Sequence, residues 1–349
     1  MIKVAIDTSP SLGASKFRGI GRYSVGLINA LKKTKKQEVL EISNKDLKPK
    51  ADIIHYPYFD FYFLTLPLFK KAKTVVTIHD CTPLVFPKNY PSGIKGKIRF
   101  FIQRYSLKNV SAILTDSESS KKDIIKYLKV PEDRIKVVYL AADQLFRKID
   151  QPSKPLTAII QKYNLQSKFL LYVGDVNYNK NLPRLLEAFS KFNGQNCQLV
   201  LVGKSFENKN LPEIILIHNL IEKLKIKGKV KVLGFVPDED LVGLYNLASF
   251  YCMPSLYEGF AIQILEAMAC GCPVLTSNVS SIPEVAGEAA VLVDPRSIDQ
   301  IVQRMEGLTL DQDLRCKVIK LGLAQAEKFS WDKTAQETIE VYEKILAEQ

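Results

Sequence analysis

Short apolar stretches alternate with longer amphipathic stretches along the first 150 residues of the chain. Short apolar runs favour buried strands, and apolar positions that recur with a helical period favour helices. The pattern predicts strands at residues 3–7, 53–56, 74–79 and 112–116, and helices at residues 23–33, 98–108 and 119–127. Because strands and helices alternate, we expect a parallel sheet covered by helices on both faces.

The alternation pauses at residues 151–155, QPSKP, whose composition is typical of a linker. It then restarts, which predicts a second α/β half of similar size, and each half resembles a doubly wound sheet. The second half has predicted strands at residues 169–175, 197–203, 229–235, 249–255 and 273–278, and predicted helices at 182–192, 213–224, 238–247 and 261–269. A last amphipathic helix at residues 331–347 has no strand after it, so its pattern alone does not assign it to one half.

The length and composition agree with this division. A chain of 349 residues exceeds one typical core, and 46% hydrophobic with 25% charged residues is ordinary for a globular protein. No stretch approaches about 20 consecutive apolar residues, and the first residues, MIKVAIDTSP, predict a strand instead of a signal peptide. The cysteines form no CxxC pair, and no histidine lies near Cys270 and Cys272. We therefore expect a cytoplasmic protein with buried reduced thiols, no zinc and no transmembrane helix.

The formal net charge is +12, and the basic residues are concentrated in the first 150 residues, since the remainder is slightly acidic. Such asymmetry predicts that the first half contacts something anionic, either nucleic acid or an anionic membrane surface. A solvated basic surface explains the charge equally well. The sequence contains no recognised nucleic-acid-binding motif, so nucleic acid is not the expected partner.

Two stretches combine aromatic residues with Lys and Arg: HYPYFDFYFLTLPLFKKAK at residues 55–73 and IKGKIRFFIQRYSLKN at residues 94–109. Aromatic rings beside basic side chains suit a membrane interface. The alternative is that the rings pack inside the first domain and only the lysines face water. The hypothesis from these stretches is an acceptor molecule that is amphipathic or lies at a membrane.

The polar motifs fall where predicted strands end. In open α/β sheets, ligands bind outside the carboxyl ends of the strands, and two facing sheets would hold a ligand in the cleft between them. The first motif, RGIGRY at residues 18–23, places Gly19 and Gly21 before a helix, where free backbone amides favour a phosphate. Its spacing matches neither the dinucleotide-binding nor the P-loop pattern, and an ordinary tight turn explains it equally well.

His79 and Lys180 each follow a predicted strand. His79 lies in TIHD at the carboxyl end of a central strand, which favours a functional role over the structural role expected of a lone histidine. Lys180 lies in VGDVNYNKNL, residues 173–182, just before a helix, where its charge could neutralise a phosphate. Taken alone, a solvent-exposed lysine would be the better interpretation, because the chain has many.

Two glutamates lie in YEGFAIQILE, residues 257–266, where a predicted strand leads into a predicted helix. Glu258 is in the turn, and the amides of residues 259–261 have no partner inside the helix that follows. Glu266 lies on a mostly apolar helix, where an unpaired buried carboxylate is costly. It therefore needs a hydrogen-bond donor, either a core Arg or Lys or the diol of a ligand.

Together these motifs resemble the retaining, nucleotide-sugar-dependent glycosyltransferases of family 4, which have the GT-B fold of two Rossmann-like domains facing a central cleft. The resemblance covers nearly the whole chain: GIGRY, TIHD, TDSESSKKDI, VGxxxxxKN, the two glutamates separated by seven residues, CPVLTSNVSSIPEV, AAVLVDP and FSW. The context of the glutamates is the most specific of these. The resemblance implies an acceptor-binding domain at residues 1–150, a nucleotide-sugar-binding domain at 151–330, and a helix at 331–349 that packs back on the first domain.

The resemblance also implies a role for each motif. The catalytic residues would be Glu258 and His79, which contact the donor sugar, and Lys180, which balances the charge of the diphosphate. Glu266 would accept hydrogen bonds from the ribose hydroxyls. The remaining donor-binding residues would lie at the diphosphate, namely Gly19, Gly21, Gly259, Phe260 and Ala261, or near the nucleobase, namely Gly203 and Phe235.

One residue departs from the family pattern. The family usually has Arg directly after the glycine of VG, where this chain has Asp175. A carboxylate cannot neutralise a diphosphate. Either Lys180, the amides and a second basic residue, Arg18 or Arg22, suffice, or the affinity for the diphosphate is lower.

The implied reaction moves a hexosyl group from a UDP- or GDP-sugar to a hydroxyl of a carbohydrate or lipid-linked acceptor, in cell-surface polysaccharide or glycolipid synthesis. Fixed hydrogen-bond donors aimed at the leaving diphosphate would stabilise its charge, so we expect neither a metal nor a cofactor. The protein would be peripheral on the inner face of the membrane. Three alternatives stay open: a sugar-nucleotide epimerase of the same fold, a non-catalytic sugar-nucleotide-binding module and a basic nucleic-acid-binding protein.

Overall fold

Twelve strands form two parallel sheets of six strands each within the residues that the computed structural model describes, which are 1–11, 19–43, 50–150, 154–194 and 196–348. The chain divides into two units. Unit 1 comprises Met1–Ala141 and Phe329–Gln349, and unit 2 comprises Ala142–Lys328. Each unit contains one sheet with flanking helices, which confirms the predicted α/β fold of two Rossmann-like, doubly wound halves.

Unit 1 is built on the first sheet. Its strands are β1 (Ile2–Asp7), β2 (Gln37–Ile42), β3 (Ile53–Tyr56), β4 (Lys73–Thr77), β5 (Ala112–Thr115) and β6 (Ile135–Val137). They pair in parallel in the order β2-β1-β3-β4-β5-β6. Its first helices are α1 (Gly19–Thr34), α2 (Thr82–Val85), α3 (Gly93–Ser106) and α4 (Glu118–Asp123).

Unit 2 is built on the second sheet. Its strands are β7 (Phe169–Val173), β8 (Gln198–Val202), β9 (Val230–Leu233), β10 (Phe250–Met253), β11 (Val274–Ser277) and β12 (Val291–Val293). They pair in parallel in the order β12-β11-β10-β7-β8-β9. The helices are α5 (Lys154–Tyr163), α6 (Leu182–Lys191), α7 (Pro212–Lys223), α8 (Asp238–Leu247), α9 (Ile262–Ala269), α10 (Ile282–Ala286), α11 (Ile298–Leu310) and α12 (Gln312–Ala326).

The strand order of unit 2 reverses between β7 and β10, because β8 and β9 extend to one side and β11 and β12 to the other. In a doubly wound sheet, such a reversal leaves a crevice at the carboxyl ends of the two central strands. Every residue of β7, β8 and β10 is buried, as expected for parallel strands covered on both faces. The core of unit 2 therefore holds the crevice in a fixed position.

The last helix, α13 (Trp331–Ala347), belongs to unit 1 and packs against α1. Thr334 Oγ1 donates a hydrogen bond of 2.6 Å to the carbonyl oxygen of Tyr139. An added Cβ at Gly26 in α1 would lie only 2.5 Å from the Trp331 ring. Glycine at position 26 therefore lets the two helices approach each other closely.

His55 in β3 has a structural environment. It is fully buried, and burial together with the nearby His79 lowers its pKa to about 3, so the ring is neutral. Its Nδ1 lies 2.6 Å from the hydroxyl of Tyr342 in α13, and its Nε2 lies 2.8 Å from Thr77 Oγ1 in β4. Thr77 Oγ1 is in turn 2.9 Å from the hydroxyl of Tyr23 in α1. The ring thus links two strands to two helices.

The structure adds elements that the sequence pattern did not predict. Strands β2, β6 and β12 lie at sheet edges or contain only three residues, so their apolar signal is weak. Helices α2, α5, α10, α11 and α12 were also not predicted. Helix α1 begins at Gly19, four residues earlier than expected, and residues 151–153 of the predicted linker lie outside the described residues.

Two further expectations concern cysteines and membranes. Five cysteines are buried free thiols, whereas Cys316 is exposed, so the expectation of buried thiols was wrong for that residue. In the part of the chain that the structure describes, none of the helices has both the length and the apolarity needed to cross a bilayer.

Candidate active site

Two loops meet at the carboxyl ends of β7 and β10. The loop after β7 contains a tight turn, Tyr178–Lys180, followed by Asn181 in the left-handed conformation with φ of 60°. The Asn181 side chain donates hydrogen bonds of 2.8 Å and 2.7 Å to the carbonyl oxygens of Pro254 and Pro295. Asn179 donates to the carbonyl oxygen of Tyr257 at 2.9 Å. These bonds fix the loop after β7 against the loops after β10 and β12.

The joined loops bring Lys180 and Glu258 together. Lys180 Nζ lies 2.8 Å and 2.9 Å from the two carboxylate oxygens of Glu258. The side chains are only 12% and 9% exposed, so water screens their charges weakly. Two of the predicted catalytic residues, 78 positions apart in the chain, therefore form one ion pair in the crevice of unit 2.

The backbone of Glu258 is held by two serines that follow β11. The Glu258 amide donates a hydrogen bond of 2.9 Å to Ser280 Oγ, and Ser281 Oγ donates one of 2.9 Å to the Glu258 carbonyl oxygen. Ser280 has a φ of 52°, a left-handed conformation that is uncommon for residues other than glycine. These serines were not singled out as site residues, although they lie in the motif CPVLTSNVSSIPEV.

The turn that carries Glu258 ends at Ala261, directly before α9. Ala261 has φ of 69° and ψ of 56°, a left-handed conformation that costs about 1–3 kcal/mol outside glycine. Gly259, Phe260 and Ala261 are all buried. Helix α9 starts one residue later than predicted, so the first-turn amides that lack α-helical partners come directly after Ala261. A helix start of this kind carries partial positive charge, which favours an anion.

Glu266 lies on α9 and is almost completely buried. The hydroxyl of Tyr245 in α8 donates a hydrogen bond of 3.2 Å to Glu266 Oε2. The Tyr245 ring contacts Phe146 and Tyr251 edge to face, with ring centroids 5.9 Å and 5.7 Å away. The buried carboxylate is therefore oriented by a hydroxyl that is itself fixed by packing.

Gly203 follows β8 and lies against the end of β7. An added Cβ at Gly203 would come within 2.1 Å of the Gly174 carbonyl oxygen, so only glycine fits. Asp175, the residue at the usual Arg position, accepts hydrogen bonds from Ser205 Oγ to its carboxylate and from Tyr172 Oη to its carbonyl at 2.6 Å. Asp175, which departs from the family pattern, is thus held in this turn by hydrogen bonds.

Phe235 follows β9, the next strand in the sheet. The residue is 43% exposed, and its amide donates a hydrogen bond of 2.8 Å to Glu207 Oε1. The residues predicted to bind the donor in unit 2 therefore follow four neighbouring strands, β10, β7, β8 and β9. They lie along one edge of a single sheet.

His79 in unit 1 pairs with Asp116, a residue that the sequence interpretation missed. His79 Nδ1 lies 2.6 Å from Asp116 Oδ2, and Nε2 lies 3.0 Å from the carbonyl oxygen of Pro57. A carbonyl only accepts, so Nε2 carries a proton, and the carboxylate favours a second proton on Nδ1. Burial by itself lowers the pKa of His79, but the charge and hydrogen bond of Asp116 outweigh it and raise that pKa.

The environment of His79 limits what it can contact. Both ring nitrogens are hydrogen-bonded inside unit 1, so a bond from the ring to a sugar would require one of them to break. The signal that could have found Asp116 was its position, because both residues follow neighbouring strands, β4 and β5, at their carboxyl ends.

Gly19 and Gly21 lie in the first turn of α1, where backbone amides lack helical partners. An added Cβ at Gly19 would meet no heavy atom of the described residues, so packing does not require glycine there. Gly21 is buried. Arg18, one of the two basic residues considered in place of the usual Arg, lies outside the described residues.

The raised pKa of His79 predicts a specific pH dependence. Between the pKa of an unfolded histidine, about 6.5, and the raised folded value, folded unit 1 binds a proton that the unfolded chain does not. The contribution of His79 to stability should therefore be complete below a pH of about 6.5 and fall by up to about 1.4 kcal/mol per pH unit as pH rises through the folded pKa. Trp331, the only tryptophan of the sequence, lies in unit 1 and reports its unfolding by fluorescence.

The control for this prediction is a pair of variants. Urea unfolding of His79→Gln should lack this part of the pH dependence, whereas His218→Gln, which changes an exposed histidine of unit 2, should keep it. Identical pH profiles for wild type and His79→Gln would show that His79 is not held in its charged form.

Two family models match this chain. The model described as Glycosyltransferase Family 4 matches residues 12–144, and the model described as Glycosyl transferases group 1 matches residues 157–324. The O-antigen chain mannosyltransferase B of Escherichia coli is 34% identical over 273 residues, which are 77% of this chain and 70% of that protein. Three further matching mannosyltransferases of Escherichia coli, each named serotype-specific mannosyltransferase WbdA, are longer, and the chain covers 34–35% of their length.

Solved structures share the fold across the whole chain. Sucrose-phosphate synthase from Thermosynechococcus elongatus has a TM-score of 0.81 at 18% identity and covers 100% of both chains. Anabaena Alr3699/HepE, solved in complex with UDP and glucose, has a TM-score of 0.77 at 15% identity and covers 99% of this chain and 100% of its own. These likenesses agree with the predicted GT-B fold. The family models and the Escherichia coli relative show that the chain belongs to glycosyltransferase family 4.

Proposed function

We propose that this glycosyltransferase moves a hexosyl group from a UDP- or GDP-sugar to a hydroxyl of a carbohydrate or lipid-linked acceptor, with retention of configuration. The observation that carries the proposal is the ion pair of Lys180 and Glu258 at the carboxyl ends of two central strands. The Escherichia coli relative is named an O-antigen chain mannosyltransferase, which supports a role in cell-surface polysaccharide or glycolipid synthesis. The Anabaena neighbour was solved with UDP and glucose, which supports a nucleotide-sugar donor.

The proposed chemistry begins at the bond between the sugar C1 and the phosphate oxygen. As this bond breaks, negative charge develops on the diphosphate and positive charge on the sugar ring. Lys180 and the amides at the start of α9 stabilise the diphosphate, because fixed donors cost no reorganisation at the moment of reaction. Glu258 orients the sugar and stabilises its positive charge.

The acceptor hydroxyl then attacks C1 on the face from which the diphosphate departs. Its oxygen forms the new bond to C1, and its proton passes to the departing phosphate oxygen. No separate general base is required, and attack on the same face retains the configuration. A proton NMR spectrum of the product should therefore show the same anomeric configuration as the donor.

The other donor contacts belong to the same proposal. Glu266 accepts hydrogen bonds from the ribose hydroxyls, and the Tyr245 hydroxyl orients its carboxylate. The surfaces at Gly203 and Phe235 lie near the nucleobase, while residues 259–261 hold the diphosphate. In unit 1, Gly19, Gly21 and His79 stay predicted donor contacts.

The proposal also specifies that transfer needs no divalent metal. Its support is that Lys180 and the helix start of α9 supply positive charge where the leaving group develops negative charge. Asp175, bonded to Ser205, adds no positive charge, so Lys180 has to supply more of it than in relatives with Arg at that position. Transfer measured in excess EDTA should equal transfer in magnesium, and a loss of activity in EDTA would contradict this part.

The two glutamates predict different kinetic defects. Glu266→Gln removes a charged acceptor for two hydroxyls, which is worth about 1.5–3 kcal/mol, so KM for the donor should rise by about 10- to 150-fold. Glu258→Gln should mainly lower kcat, because its charge is needed as the sugar becomes positive. The measurement is steady-state kinetics with varied donor at saturating acceptor. Equal effects of both variants on KM and kcat would contradict the assigned roles.

The experiment that tests the proposed function combines purified protein with UDP- and GDP-sugars, with and without candidate acceptors. Release of nucleoside diphosphate that depends on the acceptor, together with a glycosylated product, is the expected result. Conversion of the donor sugar into its epimer without acceptor would instead indicate an epimerase.

A further inference from the structure

Helix α3 carries an apolar stripe on its exposed side. Ile94, Ile98, Phe101 and Tyr105 recur at intervals of four, three and four residues, so they share one face of the helix. Each of these side chains is more than half exposed. A helix of a globular protein normally turns its apolar face to the core, so this exposed α3 stripe indicates a binding partner outside the described chain.

The loop between β3 and β4 extends the same surface. Phe63, Leu64 and Phe69 in this loop are also more than half exposed. Arg99 of α3 connects the loop to the stripe, because its guanidinium carbon lies 5.6 Å from the centroid of the Phe63 ring. The aromatic stretch at residues 55–73 is thus divided, since Phe61 and its neighbours pack in the core of unit 1 while these three residues face outward.

The charged residues of α3 and of the chain segments directly before and after it are all basic. Residues 81–115 contain no Asp or Glu, whereas their basic residues are Lys88, Lys95, Lys97, Arg99, Arg104 and Lys108. Lys95 and Lys97 are exposed and lie between Ile94 and Ile98 of the stripe. Apolar side chains flanked by cations on one helix are the pattern that binds an anionic interface.

A groove of about 260 Å³ lies at the carboxyl end of α3. Phe101 and Tyr105 of the stripe form one wall, and its described lining residues include four cations but no Asp or Glu. The cations are Arg104, Lys108, Lys129 and Arg134. The Arg134 guanidinium also donates to the carbonyl oxygen of Lys108 at 3.1 Å, which fixes the end of the helix beside the groove. A groove of this composition suits a phosphate group next to an apolar chain.

We propose that the α3 stripe, the exposed residues 63, 64 and 69, and the basic groove form a docking surface for an anionic phospholipid bilayer. The apolar side chains enter the interface between headgroups and acyl chains, and the Lys and Arg residues bind headgroup phosphates. The absence of acids from residues 81–115 favours this partner over a second copy of the chain, whose matching surface would repel it. The proposal deepens, and rests on, the proposed transfer to a lipid-linked acceptor.

The test is flotation of the full chain with vesicles of phosphatidylglycerol and phosphatidylcholine, without donor or acceptor. Wild type should float with these vesicles, should not float with phosphatidylcholine alone, and should dissociate as salt rises. The double variant Ile98→Ser with Phe101→Ser should lower the partition constant by about tenfold or more. The double variant Lys97→Glu with Lys108→Glu should lower it by a similar factor.

Matched controls lie on and just before α7 of unit 2. Ile215→Ser with Leu216→Ser removes two exposed apolar residues, and Lys209→Glu with Lys223→Glu reverses two exposed lysines near the same helix. Both controls should float like wild type. All variants change exposed residues, so their thermal unfolding should match wild type and exclude misfolding as the cause.

Each of three flotation results would overturn the docking proposal. The first is that wild type fails to float with anionic vesicles, and the second is that the α3 variants float as well as wild type. The third is that the α7 variants lose as much binding as the α3 variants. Self-association of wild type that the α3 variants abolish would also overturn it, because the stripe would then be an interface between copies. Donor-induced stabilisation, measured separately without vesicles, tests the proposed function, so the two can fail independently.

Discussion

Replacing Lys180 by alanine is expected to lower kcat for transfer by about 100- to 1,000-fold, the typical cost of removing one donor from a developing negative charge. The same change leaves the nearly buried Glu258 without its ion-pair partner, so unit 2 should lose about 3–5 kcal/mol of stability. Initial rates with saturating donor and acceptor measure the first effect, and calorimetric unfolding measures the second.

A double variant separates catalysis from stability. Lys180→Met with Glu258→Gln removes both charges at similar volume, and replacing a buried ion pair in this way is often neutral for stability. The unfolding temperature of this variant should therefore be close to that of wild type, while the variant should still lack transfer activity. If it transferred sugar at the wild-type rate, the pair would be structural only.

A surface ion pair provides the matched control. Lys191 Nζ lies 3.4 Å from Asp299 Oδ1, but these side chains are mostly exposed. Exposed pairs typically contribute about 0–1 kcal/mol. Lys191→Ala should accordingly leave both the transfer rate and the thermal unfolding of unit 2 close to wild type.

Replacing Gly203 by alanine is expected to disrupt the donor site through the backbone. The added Cβ would lie 2.1 Å from the Gly174 carbonyl oxygen, and a backbone atom cannot rotate away as a side chain does. Overpacking of this kind costs about 1–3 kcal/mol or more. The turn at residues 174–175 would have to move, and a displacement of about 1 Å can cost about 100-fold in rate. Calorimetry and donor kinetics measure the two effects.

The same substitution at Gly307 should have the opposite effect on the stability of unit 2. Gly307 lies in helix α11, and an added Cβ would meet no heavy atom of the described residues within 4 Å. Alanine is favoured over glycine in a helix by about 0.5–1 kcal/mol, so Gly307→Ala should stabilise unit 2 slightly and leave transfer unchanged. Equal effects of Gly203→Ala and Gly307→Ala on stability and donor kinetics would contradict the close contact between Gly203 and the turn at Gly174.

The fold could be predicted where the sequence pattern is strong. β7, FLLYV, is buried on both faces, and its continuous apolar run identifies it directly. β2, QEVLEI, lies at a sheet edge and has two glutamates that interrupt its apolar residues, and β6 contains only three residues. Such strands are defined by pairing with a neighbour, and pairing depends on distant parts of the chain. This is why three of the four edge strands, β2, β6 and β12, were missed, whereas the edge strand β9 and the central strands were predicted.

The candidate site was predictable in its positions but not in its contacts. Lys180 and Glu258 could be singled out because each lies between a predicted strand and a predicted helix. Their ion pair could not, because it depends on β7 and β10 being neighbours, which is a property of strand order. The contacts of Asn181 with Pro254 and Pro295 depend on the same order. The position of His79 at a strand end favoured a functional role. Only the structure shows that its two ring nitrogens are hydrogen-bonded to Asp116 and to the carbonyl oxygen of Pro57.

The central claim is that unit 2 binds a nucleotide-diphosphate sugar at the Lys180–Glu258 crevice. Its most direct test is a thermal-shift titration of wild type with UDP-, GDP- and ADP-sugars. A ligand at 100 times its Kd stabilises the folded state by about 2.7 kcal/mol. For a unit of this size, each kcal/mol raises Tm by about 2–4 °C. At least one UDP- or GDP-sugar should produce this shift, and the shift should be reduced in Lys180→Met with Glu258→Gln. The absence of stabilisation by every sugar nucleotide would contradict the account.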